Sequence, residues 1–79
     1  MMPGSQRLGF HEATRAARAM RALREKQGLS QADLAAKLGT TVSWVGHRET
    51  GAVRLRVGDA EKIAAGLGTD LAGLIGDGS

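Results

Sequence analysis

Ser30-Gln31-Ala32-Asp33-Leu34-Ala35-Ala36-Lys37-Leu38-Gly39-Thr40-Thr41-Val42-Ser43-Trp44-Val45-Gly46-His47-Arg48-Glu49-Thr50-Gly51 holds two short helices and the turn between them. Ser30 is an N-cap residue, and Asp33 three positions on makes a capping-box variant. Leu29 before the cap and Leu34 inside the helix form a hydrophobic staple. Leu34, Ala35 and Leu38 mark one apolar face, and Gly39 ends the helix because it tolerates left-handed backbone geometry. Thr40 and Thr41 then cap a second helix, Val42 to Thr50, which ends at Gly51. A helix of about eight residues is not stable alone and must pack on its neighbours.

The linker Gly39-Thr40-Thr41 is too short for an antiparallel pair, so the two helices cross steeply. A small residue is needed at such a crossing, which Ala35 supplies, and a compact branched one facing it, which Val45 supplies. This spacing predicts a helix-turn-helix. Working outward, Ala13, Ala16, Ala17, Met20 and Leu23 form one stripe of a helix that begins at His11 and is stopped by Gly28. Beyond the loop Ala52 to Arg56, the residues Val57, Ala60, Ile63, Ala64 and Leu67 form another stripe, stopped by Gly66 and Gly68. Thr69 is read as the cap of a last short helix holding Leu71, Leu74 and Ile75. The fold class is all-α, a compact five-helix bundle with no strand candidate. Residues 1–10, with Pro3, Gly4, Ser5 and Gly9, read as a flexible N-terminal arm. Residues 11–75 are the domain, and 76–79 are tail.

Composition narrows the function. The chain has 79 residues, no Cys, one Phe and one Trp, which leaves little room for a scaffold and a walled catalytic pocket together. Ser43 and His47 are four apart, but no acid is placed to orient them, so the protein is not expected to be an enzyme. Disulfides and Cys-type zinc sites are excluded, and His11 and His47 alone make no metal site; no cofactor is expected. No apolar run spans a bilayer and no signal peptide is readable, so the expectation is a cytoplasmic protein with no membrane partner. Nothing points to a small-molecule ligand. Net charge is +3, and eight of the eleven cations are Arg, the side chain best suited to phosphate. Arg7, Arg15, Arg18, Arg21, Arg24 and Lys26 lie in the front third, Arg54 and Arg56 in the loop after the third helix, and the acids gather behind Val57. That polarity fits a polyanion partner.

The run Met20-Arg21-Ala22-Leu23-Arg24, followed by Gly28-Leu29-Ser30-Gln31, Leu34-Ala35, Lys37 to Thr41, Val45, Glu49 and Gly51, resembles the Cro/repressor-type (XRE-like) helix-turn-helix family. The DNA-binding domains of lambdoid phage repressors and Cro proteins are similar to it over roughly residues 13–75. The resemblance implies a lambda-repressor-like bundle whose third helix enters the major groove of double-stranded DNA. It implies base reading by Val42, Ser43 and His47, whose chemistry suits a thymine methyl, either donor or acceptor edges, and guanine N7 or O6. DNA-backbone contacts fall to Gln31, Thr41, Thr50, Arg54 and Arg56. Arg24 and Glu49 match a family ion pair tying the first helix to the end of the third.

Four positions depart from the family pattern. Arg48 stands where an apolar side chain is usual, so either this flank is open or the Arg48 stem covers the core. Thr40 replaces a commonly apolar turn residue. Trp44 replaces a small one, with packing as its first expectation, and Gly46 costs helix stability where a close backbone approach could use it. Trp44, Arg48 and Arg7 are candidates for a DNA or partner contact. The function expected is a sequence-specific transcriptional regulator, a phage or prophage-type repressor, Cro-like or a minimal immunity repressor. It is expected to bind its operator as a homodimer, with Leu71 to Ile75 as candidate dimer surface or, equally, core. Antitoxins and restriction–modification controllers share the pattern. A protein-interaction module using Trp44 and Arg48 is the alternative of a different class.

Overall fold

The computed structural model describes residue 4 and residues 6–76. Five helices follow in order: α1 (Phe10–Lys26), α2 (Gln31–Leu38), α3 (Val42–Thr50), α4 (Val57–Gly66) and α5 (Leu71–Ile75). The all-α, five-helix architecture expected from the apolar stripes is the one observed. None of the described helices is long and apolar enough to cross a membrane.

Local chemistry sets the helix ends. The Ser30 hydroxyl accepts from the Asp33 N–H and the Asp33 carboxylate accepts from the Ser30 N–H, both at 2.9 Å, closing the capping box. Gly39 takes φ of +69° at the end of α2, where the Thr40 N–H reaches the Ala35 carbonyl at 2.9 Å. This left-handed residue turns the chain into α3. Thr41 then caps α3 by accepting from the Trp44 N–H at 3.1 Å. At α5 the capping residue is Asp70, whose carboxylate accepts from the Gly73 N–H at 2.8 Å. The expected Thr69 cap therefore shifts by one residue, because a carboxylate at 70 reaches the third N–H of the helix.

Ala16, Met20, Leu34, Ala35, Leu38, Val45, Ala60, Ile63, Ala64, Leu67 and Leu74 are all buried in one core. The small residues let short helices approach closely; α2 packs on α3 and α4, and α1 on α3 and α5. At Gly66 an added Cβ would meet Leu38 Cδ2 at 2.5 Å, so α4 closes on α2 there.

Two buried residues lie outside the expected stripes. Leu8 is 6% exposed and Leu55 1% exposed, and the Leu8 N–H donates to the Leu55 carbonyl at 3.0 Å. The Val57 N–H donates to the Gln6 carbonyl at 2.7 Å, which makes an isolated antiparallel bridge between Arg7 and Arg56. The arm expected over residues 1–10 is thus part of the domain in its second half, and α1 starts at Phe10. The physical reason is Leu8, an apolar side chain that fills the end of the core under the 51–56 loop. The remainder of the arm and the tail, apart from Gly4 and Gly76, lie outside the described residues.

The Ser30 N–H, and secondarily the Ser30 hydroxyl, hold the Asp33 carboxyl below its ordinary pKa. A depressed carboxylate contributes stability above its unfolded value, about 3.9, and loses it as pH falls through the lower folded value. Urea unfolding of the wild type and Asp33→Ala should show a constant gap near neutral pH that narrows below about pH 4. A gap independent of pH from 2.5 to 7 would contradict the capping role.

Candidate nucleic-acid interface

The site starts from a fixed helix. Val45 is fully buried, and its backbone position aims the opposite side of α3 at solvent. Residues 43, 47 and 50 occupy that outer sector by the 3.6-residue period, and all three are exposed. Val42 is 47% exposed, a large apolar side chain left in water at the first position of the helix. Ser43 and His47 therefore share one open face, and Val42 protrudes beside it from the start of the helix.

An ion pair holds this helix from below. Arg24 Nε donates to Glu49 Oε2 at 2.6 Å and its Nη2 donates to Oε1 at 3.1 Å, a two-pronged contact. The side chains are 10% and 2% exposed. Arg24 Nη1 donates to the Leu29 carbonyl at 2.8 Å, which ties in the α1–α2 loop. Chiefly through the hydrogen bonds to Glu49, the guanidinium pKa is raised above its already high ordinary value.

Gln31 completes the cluster, its Nε2 donating to Glu49 Oε1 at 3.1 Å. It was expected to touch the DNA backbone, and the structure shows it first as a brace between α2 and α3. One amide N–H and the carbonyl oxygen of Gln31 remain for another partner. Thr41 behaves likewise: its oxygen is used in the cap, and its O–H is left to donate. The Thr50 hydroxyl donates to the His47 carbonyl at 3.3 Å and stays at the exposed exit of the helix.

The departures from the family pattern form one cluster. Arg48 lays its guanidinium 3.9 Å from the Trp44 ring centroid, a cation–π contact, and Nη1 donates to the Trp44 carbonyl at 3.3 Å. Arg48 Nε lies 3.5 Å from Asp59 Oδ2, close enough for an ion pair but not aligned for a hydrogen bond. With the Arg48 side chain 15% exposed, its stem covers the flank that an apolar residue would fill. Trp44 packs against the core, half-buried. Both are engaged within the fold. Gly46 is half-buried, and a Cβ there would meet only the Gln31 amide at 3.8 Å, so the protein itself does not require glycine at this point.

At the exit of α3, Thr50, Arg54, Arg56 and Arg7 line a concavity of about 690 Å³, walled on the other side by α1 through Phe10, Thr14 and Arg18. This brings Arg7 beside the two loop arginines, which charge sorting alone did not reveal. The missed signal is Leu8, which follows Arg7, and Leu55, which alternates between Arg54 and Arg56.

The Helix-turn-helix domain family matches residues 15–74, and the chain belongs to that family, in its Cro/repressor-type (XRE-like) branch of DNA-binding regulators. A solved structure, that of a hypothetical transcription factor, NHTF, from Neisseria, is similar: 28% identity and a TM-score of 0.75, covering 86% of this chain and 80% of that one. No curated protein matches the chain.

Removing one partner of a buried ion pair strands the other. Glu49→Ala should lower stability by about 3–5 kcal/mol, leaving the Arg24 charge uncompensated. For a domain of this size each kcal/mol moves Tm by roughly 4–8 °C. Calorimetry that finds an unchanged Tm would contradict a structural role for the pair.

Proposed function

We propose that the chain is a sequence-specific double-stranded DNA-binding transcriptional regulator that reads the major groove with α3, a repressor of the phage or prophage type. The observation that carries this is the exposed face of Ser43 and His47, with Val42 exposed at the helix start, on a helix whose other side is locked by Val45 and by the Arg24–Glu49–Gln31 cluster. A rigid helix with a mixed apolar and hydrogen-bonding outer face is what direct reading of base edges requires. Gln31 and Thr41 at the entrance, and Thr50, Arg54 and Arg56 at the exit, supply donors for phosphate oxygens on both sides of that face.

The molecule measures 31 Å along its longest axis. A chain of this size fits one of two half-sites about 34 Å apart, and the proposed functional unit is a homodimer on a two-fold symmetric operator. Gly46, which no contact within the protein demands, lies beside the reading row and lets a base or sugar approach the helix backbone.

The test is selection of binding sites from random duplex DNA, followed by affinities across a salt series. Ser43→Ala and His47→Ala should each cost about 1–3 kcal/mol on the selected site and relax preference at one base pair, with non-specific binding and the salt slope unchanged. Intact affinity and intact base preference in both variants would refute the reading face.

A further inference from the structure

Arg7 and Arg56 face each other across the N-terminal bridge. The two hydrogen bonds, Leu8 N–H to Leu55 carbonyl and Val57 N–H to Gln6 carbonyl, flank this pair rather than join it. In an antiparallel ladder that is the narrow, non-hydrogen-bonded type of pair, in which side chains sit closest. Alternation sets the faces: Leu8 and Leu55 point into the core, while Arg7, Arg54 and Arg56 are exposed. Like charges directly opposite are destabilising. This fold nevertheless places three arginines along one short edge, with Arg18 across the concavity and Glu49 on the same lining already engaged by Arg24 and Gln31. Among the described residues neither Arg7 nor Arg54 forms an ion pair. Thr50 lines the same concavity and shares the outer sector of α3 with Ser43 and His47, so the arginine edge continues the reading face.

We infer that Arg7 is a DNA-backbone contact, held beside Arg54 and Arg56 by the Gln6–Leu8 ladder in a single phosphate-binding edge. The inference rests on the DNA-binding reading above. It differs from a contact made by a loose arm. The ladder fixes the Arg7 Cα before DNA arrives, so little backbone ordering is needed on binding, and Leu8 is the positioning residue that anchors it.

The experiment compares full-length wild type, Arg7→Gln and Arg15→Gln on the selected duplex and on an unrelated duplex, from low to moderate salt. Arg15 is the control because it lies away from the concavity, its Nε donating to the Ile75 carbonyl at 3.2 Å. Arg7→Gln should reduce the magnitude of the log–log salt slope by about 0.9 and weaken both duplexes equally, with base preference intact. Arg15→Gln should leave the slope unchanged. Amide exchange should show the Leu8 and Val57 N–H groups protected in free wild type and in Arg7→Gln. Leu8→Ala should weaken binding as Arg7→Gln does, and the double variant should fall no further. An unchanged slope in Arg7→Gln against a steep wild-type slope overturns this inference and leaves the DNA-binding reading standing. Rapid exchange at Leu8 and Val57 in the free protein overturns the ladder. A wild type with no salt-dependent affinity for any duplex overturns the DNA-binding reading itself.

Discussion

The pair Arg24–Glu49 is the contact on which the presentation of α3 depends. Its hydrogen bonds run from α1 to the end of α3, and the same two side chains recruit Leu29 in the α1–α2 loop and Gln31 at the start of α2. Four segments therefore meet at one carboxylate and one guanidinium. The nine-residue α3 cannot hold its own conformation in water. Val45 fixes how deeply it sits, and Glu49 fixes its rotation, since a carboxylate gripped at two oxygens cannot swing outward. The outer face of α3 is defined by what is tied down behind it.

The arginines divide by surroundings. Arg24 is consumed by the fold, and Arg48 is pinned between the Trp44 ring and Asp59. Arg7, Arg54 and Arg56 are exposed on one edge beside the exit of α3. A net charge of +3 is modest because eight acids offset eleven cations, but half of those acids lie behind Val57, and separation of sign, rather than its total, makes a face suited to a polyanion. Small residues serve the same end. Alanines at 16, 17, 35, 60 and 64 allow close helix crossings, so 79 residues suffice to hold one helix outward.

The helix-turn-helix was legible because its signals are local. Ser30 with Asp33, Gly39 and Thr41 each act within four residues, and the structure forms α2 and α3 with the expected bounds. The Arg24–Glu49 pair came from family resemblance, since no periodicity links residues 25 apart. What escaped the sequence was non-local. Leu8 and Leu55 belong to no helical stripe, so the bridge that fastens residues 6–8 under the loop gave only a faint alternating pattern. Gln31 was assigned to DNA by resemblance, and its bond to Glu49 depends on a crossing angle that spacing constrains only loosely. For Arg48 the sequence offered two outcomes, and Asp59 on α4, with Trp44 one turn before it, selected the one in which the stem covers the core.

In the proposed complex α3 lies in the major groove with its outer face against base edges. Methylation interference on the selected operator tests this most directly. Dimethyl sulfate marks guanine N7 in the major groove and adenine N3 in the minor groove, two edges of the same duplex that only one binding mode separates. Binding should be lost on guanine N7 methylation within each half-site, at positions spaced about one helical turn apart, and adenine N3 methylation in the same half-sites should be tolerated. Binding blocked by N3 methylation and indifferent to N7 would contradict it.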